Sequence, residues 1–255
     1  MKIIISPAKK MKVETDLAVG LQEPAFRTES RQVLEYLSGL SFSQLKSLWA
    51  CNDKIVSENA ARIDEMLHFP EKNLTPAVLA YNGIAFTYMA PEVFEYGQFD
   101  YVEENLRILS AFYGVLRPMD KVAPYRLEMQ AKAHVAGTKN LYEFWGDKLY
   151  KACIDESRTI INLASGEYSK CIEKYLTPDD RYISINFCER VGEKLVTKGV
   201  YAKMCRGEMV REMARQNVRQ AEELKKLEIL GHKFREAVSG ENVYTFVREP
   251  QPTSF

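Results

Sequence analysis

Two short apolar runs constrain what this chain can become. Ile3-Ile4-Ile5 near the start and Thr159 to Ala164 (TIINLA) are continuous rather than alternating. Such runs predict strands buried on both faces, as in the interior of a parallel sheet. Each run ends in a polar turn: Ser6-Pro7-Ala8-Lys9-Lys10 after the first, Ser165-Gly166-Glu167-Tyr168 after the second. Parallel neighbours in a buried sheet discharge their loops at one edge, so the two turns are expected to meet. Lys9 there reads either as a ligand for phosphate or carboxylate or as a solvated turn lysine. Gly166 between Ser and Glu after a strand is an anion-loop signal. It fits neither GxxxxGK[ST] nor GxGxxG, and Ser165 lies in no GxSxG elbow, so a hydrolase triad has no support.

Between the runs, helices dominate. Val33, Leu34, Leu37 and Leu40 form a helical stripe. Ser41 is the expected N-cap for Phe42 to Trp49, and Asn52 or Asp53 starts a further helix. Thr75-Pro76 reads as N-cap and first residue of a short helix. Asn82-Gly83 marks a tight turn, and Pro91 to Phe99 reads as an acidic, aromatic helix. Val13 to Arg27 lacks periodicity and reads as a loop. Leu106, Leu109 and Tyr113 at helical spacing predict a helix that Gly114 closes. After the second run, Tyr182 to Glu189 alternates as a half-buried strand, with Lys194 to Val200 as hairpin partner. A helix is expected from there to about Leu230, then a strand at Val243 to Val247 and a tail from Glu249 to Phe255. The fold class that follows is mixed α/β (α+β), one domain over residues 1–255 with a central mixed sheet. A helical lobe of roughly 28–114 is inserted after the first strand.

The stretch Leu109 to Met129 (LSAFYGVLRPMDKVAPYRLEM) carries the densest chemistry. Pro118 and Pro124 prevent a return to helix, and gather Arg117, Lys121 and Arg126 with Tyr113 and Tyr125 around two rigid turns. One reading is an anion-binding surface. The other is a structural corner in which the arginines pair with Asp120 and Glu128. Further on, Arg211, Arg215 and Arg219 follow at i, i+4, i+8, preceded by Lys203 and Arg206. This stripe is either a polyanion-binding face or a solvated ladder compensated by Glu208, Glu212 and Glu222.

With 35 basic and 35 acidic residues the chain has no net charge, so polyanion binding must rest on local segregation. That segregation exists: Glu92 to Glu104 holds five acids and no base, Lys198 to Arg219 six bases against two acids. No apolar run approaches the roughly 18 residues of a membrane span, and no secretory signal pattern is present. Five cysteines, never spaced CxxC, argue against a disulfide framework or zinc knuckle and fit a reducing cytosol. His68, His134 and His232 are scattered, so neither metal nor cofactor is expected. Cys205 beside Arg206 is the best candidate for a peroxide-reactive thiol, although packing is the favoured reading for the cysteines.

The segments IIISPAKK, LSAFYGVLRP, PYRLEM, FWGD and INLASGEY, in that order, resemble the YaaA peroxide-stress family of bacterial cytosolic proteins. The likeness runs from the first strand to the basic helix of Arg206 to Arg219. It implies survival of hydrogen peroxide by limiting free intracellular iron, a family-specific α/β fold, a positively charged cleft and DNA binding. It also implies a helix-hairpin-helix-like element around LSAFYGVLRP, although Leu116 stands where such a hairpin has its second Gly. The DNA expected is duplex or structured, with weak sequence preference.

Three functions follow from these residues. A DNA-binding stress protein would set Lys9, Arg117, Arg126, Ser165, Lys203, Arg206 and Arg211 against phosphates, with tyrosines stacking on bases. An enzyme on a small anionic, nucleobase- or nucleotide-like substrate would use the same cations, with Glu128 or Glu167 as proton carrier. A structural or partner-binding module would use none of them.

Overall fold

The computed structural model describes residues 1–14 and 20–249. Its first strand, β1 (Lys2–Ile5), buries all three isoleucines. Helix α1 (Arg27–Ser38) turns Val33, Leu34 and Leu37 inward. Helix α2 (Phe42–Trp49) starts from a reciprocal cap between Ser41 and Gln44. In α3 (Asp53–His68) the Asn52 Oδ1 accepts from Ile55 N at 3.0 Å. Thr75–Pro76 is a short strand, β2, paired antiparallel with Lys121–Val122, and the expected short helix starts one residue later than read, with Pro76 rather than Thr75 as its N-cap. The buried turn α4 (Ala77–Ala80) follows, then α5 (Ile84–Met89) and α6 (Tyr96–Asn105). Pro91–Val93 is only a 3-10 turn ahead of α6.

The helix expected up to Tyr113 is instead a β-hairpin. Strand β3 (Leu106–Ser110) turns through Ala111–Tyr113 into β4 (Gly114–Leu116), with Ile108 opposite Leu116 and Ser110 opposite Gly114. A surface helix would bury one stripe, whereas Leu106, Ile108, Leu109 and Ser110 are all buried, as in a strand paired on both sides, here with β1 and β4. No helix-hairpin-helix therefore exists at LSAFYGVLRP, and the helical segment after β1 ends at Asn105 rather than at residue 114.

Strand β5 (Lys121–Val122), α7 (Leu141–Trp145) and α8 (Lys148–Cys153) lead to β6 (Thr159–Leu163). The Ser165–Tyr168 segment is the first turn of a helix, α9 (Gly166–Glu173). Next come β7 (Arg181–Val191), its antiparallel partner β8 (Lys194–Val196) and α10 (Gly199–Arg215). Helix α10 stops well short of Leu230, since Asn217 takes φ 50° and a 3-10 turn at Ala221–Lys226 follows. Arg219 is thereby swung off the helix, bonds Glu104 at 2.7 Å and stacks over Tyr101, so the three-arginine stripe does not form. Strands β9 (Glu228–Ile229), β10 (His232–Phe234) and β11 (Val243–Arg248) complete the described chain. Residues 15–19 of the expected loop and 250–255 of the expected tail lie outside it.

Nine strands form one mixed sheet in the order β4-β3-β1-β6-β7-β11-β10-β9, with β8 on β7. The centre, β3-β1-β6-β7-β11, is parallel throughout. From β1 the chain passes to β3 on one side and later to β6 on the other, which makes the β1/β6 gap a topological switch point.

Helix α10 packs on α5 and α6 and reaches β7 and β9. Its approach to α5 is so close that a Cβ at Gly207 would lie 1.8 Å from the Ala85 carbonyl oxygen. Gly207→Ala should therefore push the two helices apart and lower stability by about 1–3 kcal/mol, measured as a shift in urea midpoint. An unchanged midpoint would mean that the helices do not meet at this glycine.

Candidate functional site

At the C-terminal ends of β1 and β6 the backbone is joined by serines. Ser165 N donates to Ser6 Oγ at 2.8 Å, and the two hydroxyl oxygens are 3.1 Å apart. Ser165 is the N-cap residue of α9, but its side chain makes no capping bond, because its hydroxyl is turned to Ser6. Around this junction lies a cavity of about 370 Å³, in the crevice that a switch point leaves beyond the strand ends. Lys9 enters from the β1 turn, Arg126 and Glu128 from the Pro124 segment, and Glu167 from α9. Lys203 and Arg206, one turn apart on α10, close another wall. Asn82-Gly83 completes it, and a Cβ at Gly83 would lie 2.6 Å from that of Ala8. Glycine there lets α5 abut the β1 turn.

The segment bearing Arg126 and Glu128 is held from beneath by buried tyrosines. Tyr125 Oη lies 2.7 Å from Ser110 Oγ and 2.9 Å from Tyr81 Oη, and burial pushes its pKa up to about 12. Tyr113 is also buried, with its hydroxyl on the Ala123 backbone N–H. Neither ring is available to stack on a base, contrary to the expectation from sequence.

Within the cavity, Lys9 Nζ sits 2.9 Å from Glu128 Oε2, and Arg126 Nη2 3.5 Å from Glu128 Oε1. Glu167 Oε1 accepts from Gln130 N at 3.2 Å. The Nε groups of Arg126 and Arg206 are buried without a hydrogen-bond partner. Burial pushes the Arg206 guanidinium below its usual range, with no carboxylate acting against it. A half-hidden cation lacking an acid is an incomplete electrostatic arrangement, and an anion would complete it.

Of the residues singled out from sequence, Lys9, Arg126, Glu128, Ser165, Glu167, Lys203 and Arg206 line this one cavity. Arg117 and Arg211 do not. Arg117 is committed to the wholly buried Asp120, with Nη2 at 2.7 Å, Nε at 3.0 Å and its backbone N–H at 2.8 Å. Burial nonetheless raises the Asp120 carboxyl, more than Arg117 lowers it. Arg211 faces a groove between α6 and α10 alongside Glu95, Asp100 and Glu104. Sequence reasoning missed Ser6 and Gly83 as members of the site. The signal for Ser6 was its place after β1, matching that of Ser165 after β6. Cys205 is wholly buried, and burial pushes its thiol up to about 12 despite the influence of Arg248.

Among the described residues, no three His, Cys, Asp or Glu side chains gather as metal ligands, and no helix is long and apolar enough to cross a membrane. Fold and cavity together describe an α/β protein with a cationic crevice at the switch point of its sheet. A family model described as peroxide stress protein YaaA matches residues 1–238. A UPF0246 protein of Agathobacter rectalis is 58% identical over 249 residues, covering 98% of this chain and 99% of its own. Another from Lachnoclostridium phytofermentans is 48% identical over 248 residues, covering 97% and 96%. A third, from Lactiplantibacillus plantarum, is 44% identical over 247 residues, covering 97% and 99%. The chain belongs to the YaaA family of peroxide stress proteins.

Two outcomes follow from the geometry. Arg117→Ala strands the buried Asp120 carboxylate and should lower stability by on the order of 2 kcal/mol, discounted for the partial exposure of Arg117. Any anion bound in the cavity should keep its affinity, and a calorimetric melt beside a binding titration checks both. Cys205, with so few thiolates at neutral pH, should resist millimolar peroxide in the folded protein, as intact-mass analysis would show. Rapid sulfenic acid formation at Cys205 would contradict that burial.

Proposed function

We propose that the protein serves peroxide defence by binding DNA at the cationic crevice, with phosphates drawn to Lys9, Arg126, Lys203 and Arg206. The observation that carries this reading is Arg206, half-buried at the cavity wall with a buried, unpartnered Nε and no opposing carboxylate. With zero net charge on the whole chain, a local group of this kind is what a polyanion would find. Duplex or structured DNA, met through its backbone and with weak sequence preference, suits cations that point at phosphates rather than at base edges. A role in helping to limit free intracellular iron is proposed alongside this binding.

A second reading is favoured by the cavity's dimensions. About 370 Å³ falls within the range of small-molecule sites, and Glu128 and Glu167 face the same space as the arginines. An enzyme acting on a nucleotide-like anion there would use one of these carboxylates to carry a proton.

Salt separates the two. Each phosphate contact contributes about 0.9 to the slope of log affinity against log salt. Fluorescence anisotropy with labelled duplex should therefore give a slope of several units, reduced by about one in Arg206→Ala. Affinity that stays level between low and moderate salt would overturn the DNA reading and favour the small-ligand one.

A further inference from the structure

Two carboxylates reach the crevice, and they are held in different ways. Glu167 lies in the first turn of α9, where a helix terminus favours an acid, and it accepts from Gln130 N at 3.2 Å. Glu128 lies on the irregular segment after Pro124, and its carboxylate is held by the crevice's own cations. Its Oε2 is 2.9 Å from Lys9 Nζ and its Oε1 3.5 Å from Arg126 Nη2. One acid of the chain therefore stands where an external anion would, over two of the cations that line the cavity.

Neither contact is strong. Lys9 is 63% exposed, and a pair with one member in solvent is worth little. A carboxylate seated on an arginine fork takes two N–H groups at about 2.7–2.9 Å. Here Nη2 stands 3.5 Å off, and the Arg126 Nε has no partner. Arg206, on another wall, has no carboxylate against it. The crevice thus offers one cation without an acid and two that share a loosely held one.

Phosphate oxygens seek the same N–H groups as a carboxylate. An anion that meets Arg206 alone leaves Glu128 in place. A run of phosphates that also reaches Lys9 and Arg126 must put the carboxylate out.

We propose that Glu128 is an internal counter-anion that restrains binding at the crevice, and that DNA phosphates displace it from Lys9 and Arg126. This rests on the DNA-binding reading above and adds to it the residue that opposes binding.

The test follows a labelled duplex by fluorescence anisotropy across a salt series, with the full chain and its variants. Glu128→Gln keeps the side chain's shape, removes its charge and should tighten binding roughly fivefold. It should also steepen the slope of log affinity against log salt by about one. The reason is that a displaced carboxylate takes up a cation from solution, which offsets one released from the DNA. Glu128→Ala carries the same expectations and covers the case in which the first variant fails to fold. Glu92→Gln opens the Lys12–Glu92 pair, also of 2.9 Å but outside the cavity, and should change affinity less than twofold. Unchanged or weaker binding in the Glu128 variants, an unchanged slope, or an equal gain in Glu92→Gln would overturn the proposal. Any of these with wild-type protein that binds the duplex overturns this inference alone, and wild-type protein that binds no duplex overturns the DNA reading as well.

Discussion

The structure depends on the parallel pairing of β1 with β3 on one side and β6 on the other. Ile3 sits opposite both Leu106 and Ile161, and Ile5 opposite both Ile108 and Leu163. Three isoleucines without solvent contact supply much of the apolar burial at the centre of the sheet, each worth about 1.5–3 kcal/mol when fully buried. Both neighbours run parallel to β1, so their backbone connections must leave over the faces and edges of the sheet. They leave in opposite directions, and the space they vacate is the crevice. The Ser6–Ser165 contact ties its floor at the one place where no connection crosses.

Side chains reach that crevice because of close backbone approaches elsewhere. Gly207 lets α10 settle on Ala85 of α5, which brings Lys203 and Arg206 over the strand ends. Gly83 sets the start of α5 against Ala8. On the opposite wall, the hydrogen-bonded Tyr81, Tyr125 and Ser110 fix the base of the segment from which Arg126 and Glu128 project. A buried network that is fully hydrogen-bonded is rigid, so the two charges sit on a firm support. Arg206 is thus held partly out of water by packing with no carboxylate against it, while Lys9 and Arg126 share Glu128, and the field of the crevice comes from placement rather than from excess charge.

Much of this could be read from the residues in order. The Ile3–Ile5 and Thr159–Leu163 strands, the Ser41 and Asn52 caps and the β7–β8 hairpin are local, set by side-chain patterns over a few positions. The Leu106–Tyr113 segment was not legible in that way. Its leucines fit a helical stripe as well as a strand, and burial of Ile108 and Ser110 between β1 and β4 decided the matter. Nor was the end of α10 legible, since Val218, Leu224 and Leu227 prolong an apolar pattern that Asn217 interrupts by a left-handed turn.

For the site, the sequence by itself determined which residue types stand at the ends of the two central strands and around Pro124, because strand burial and proline geometry are short-range. Only the tertiary structure decided which cations share a space. Arg117 and Arg126 occupy equivalent-looking turns, yet one meets a carboxylate three residues away in a buried corner, and the other projects into the crevice. Arg206 and Arg211 lie on one helix, but five residues of α-helix turn them about 500° apart, so they face different neighbours. Charge in a sequence has sign and spacing. Whether it is paired, buried or left over depends on what the fold places within a few ångströms, because that is the range over which ion pairs and desolvation act.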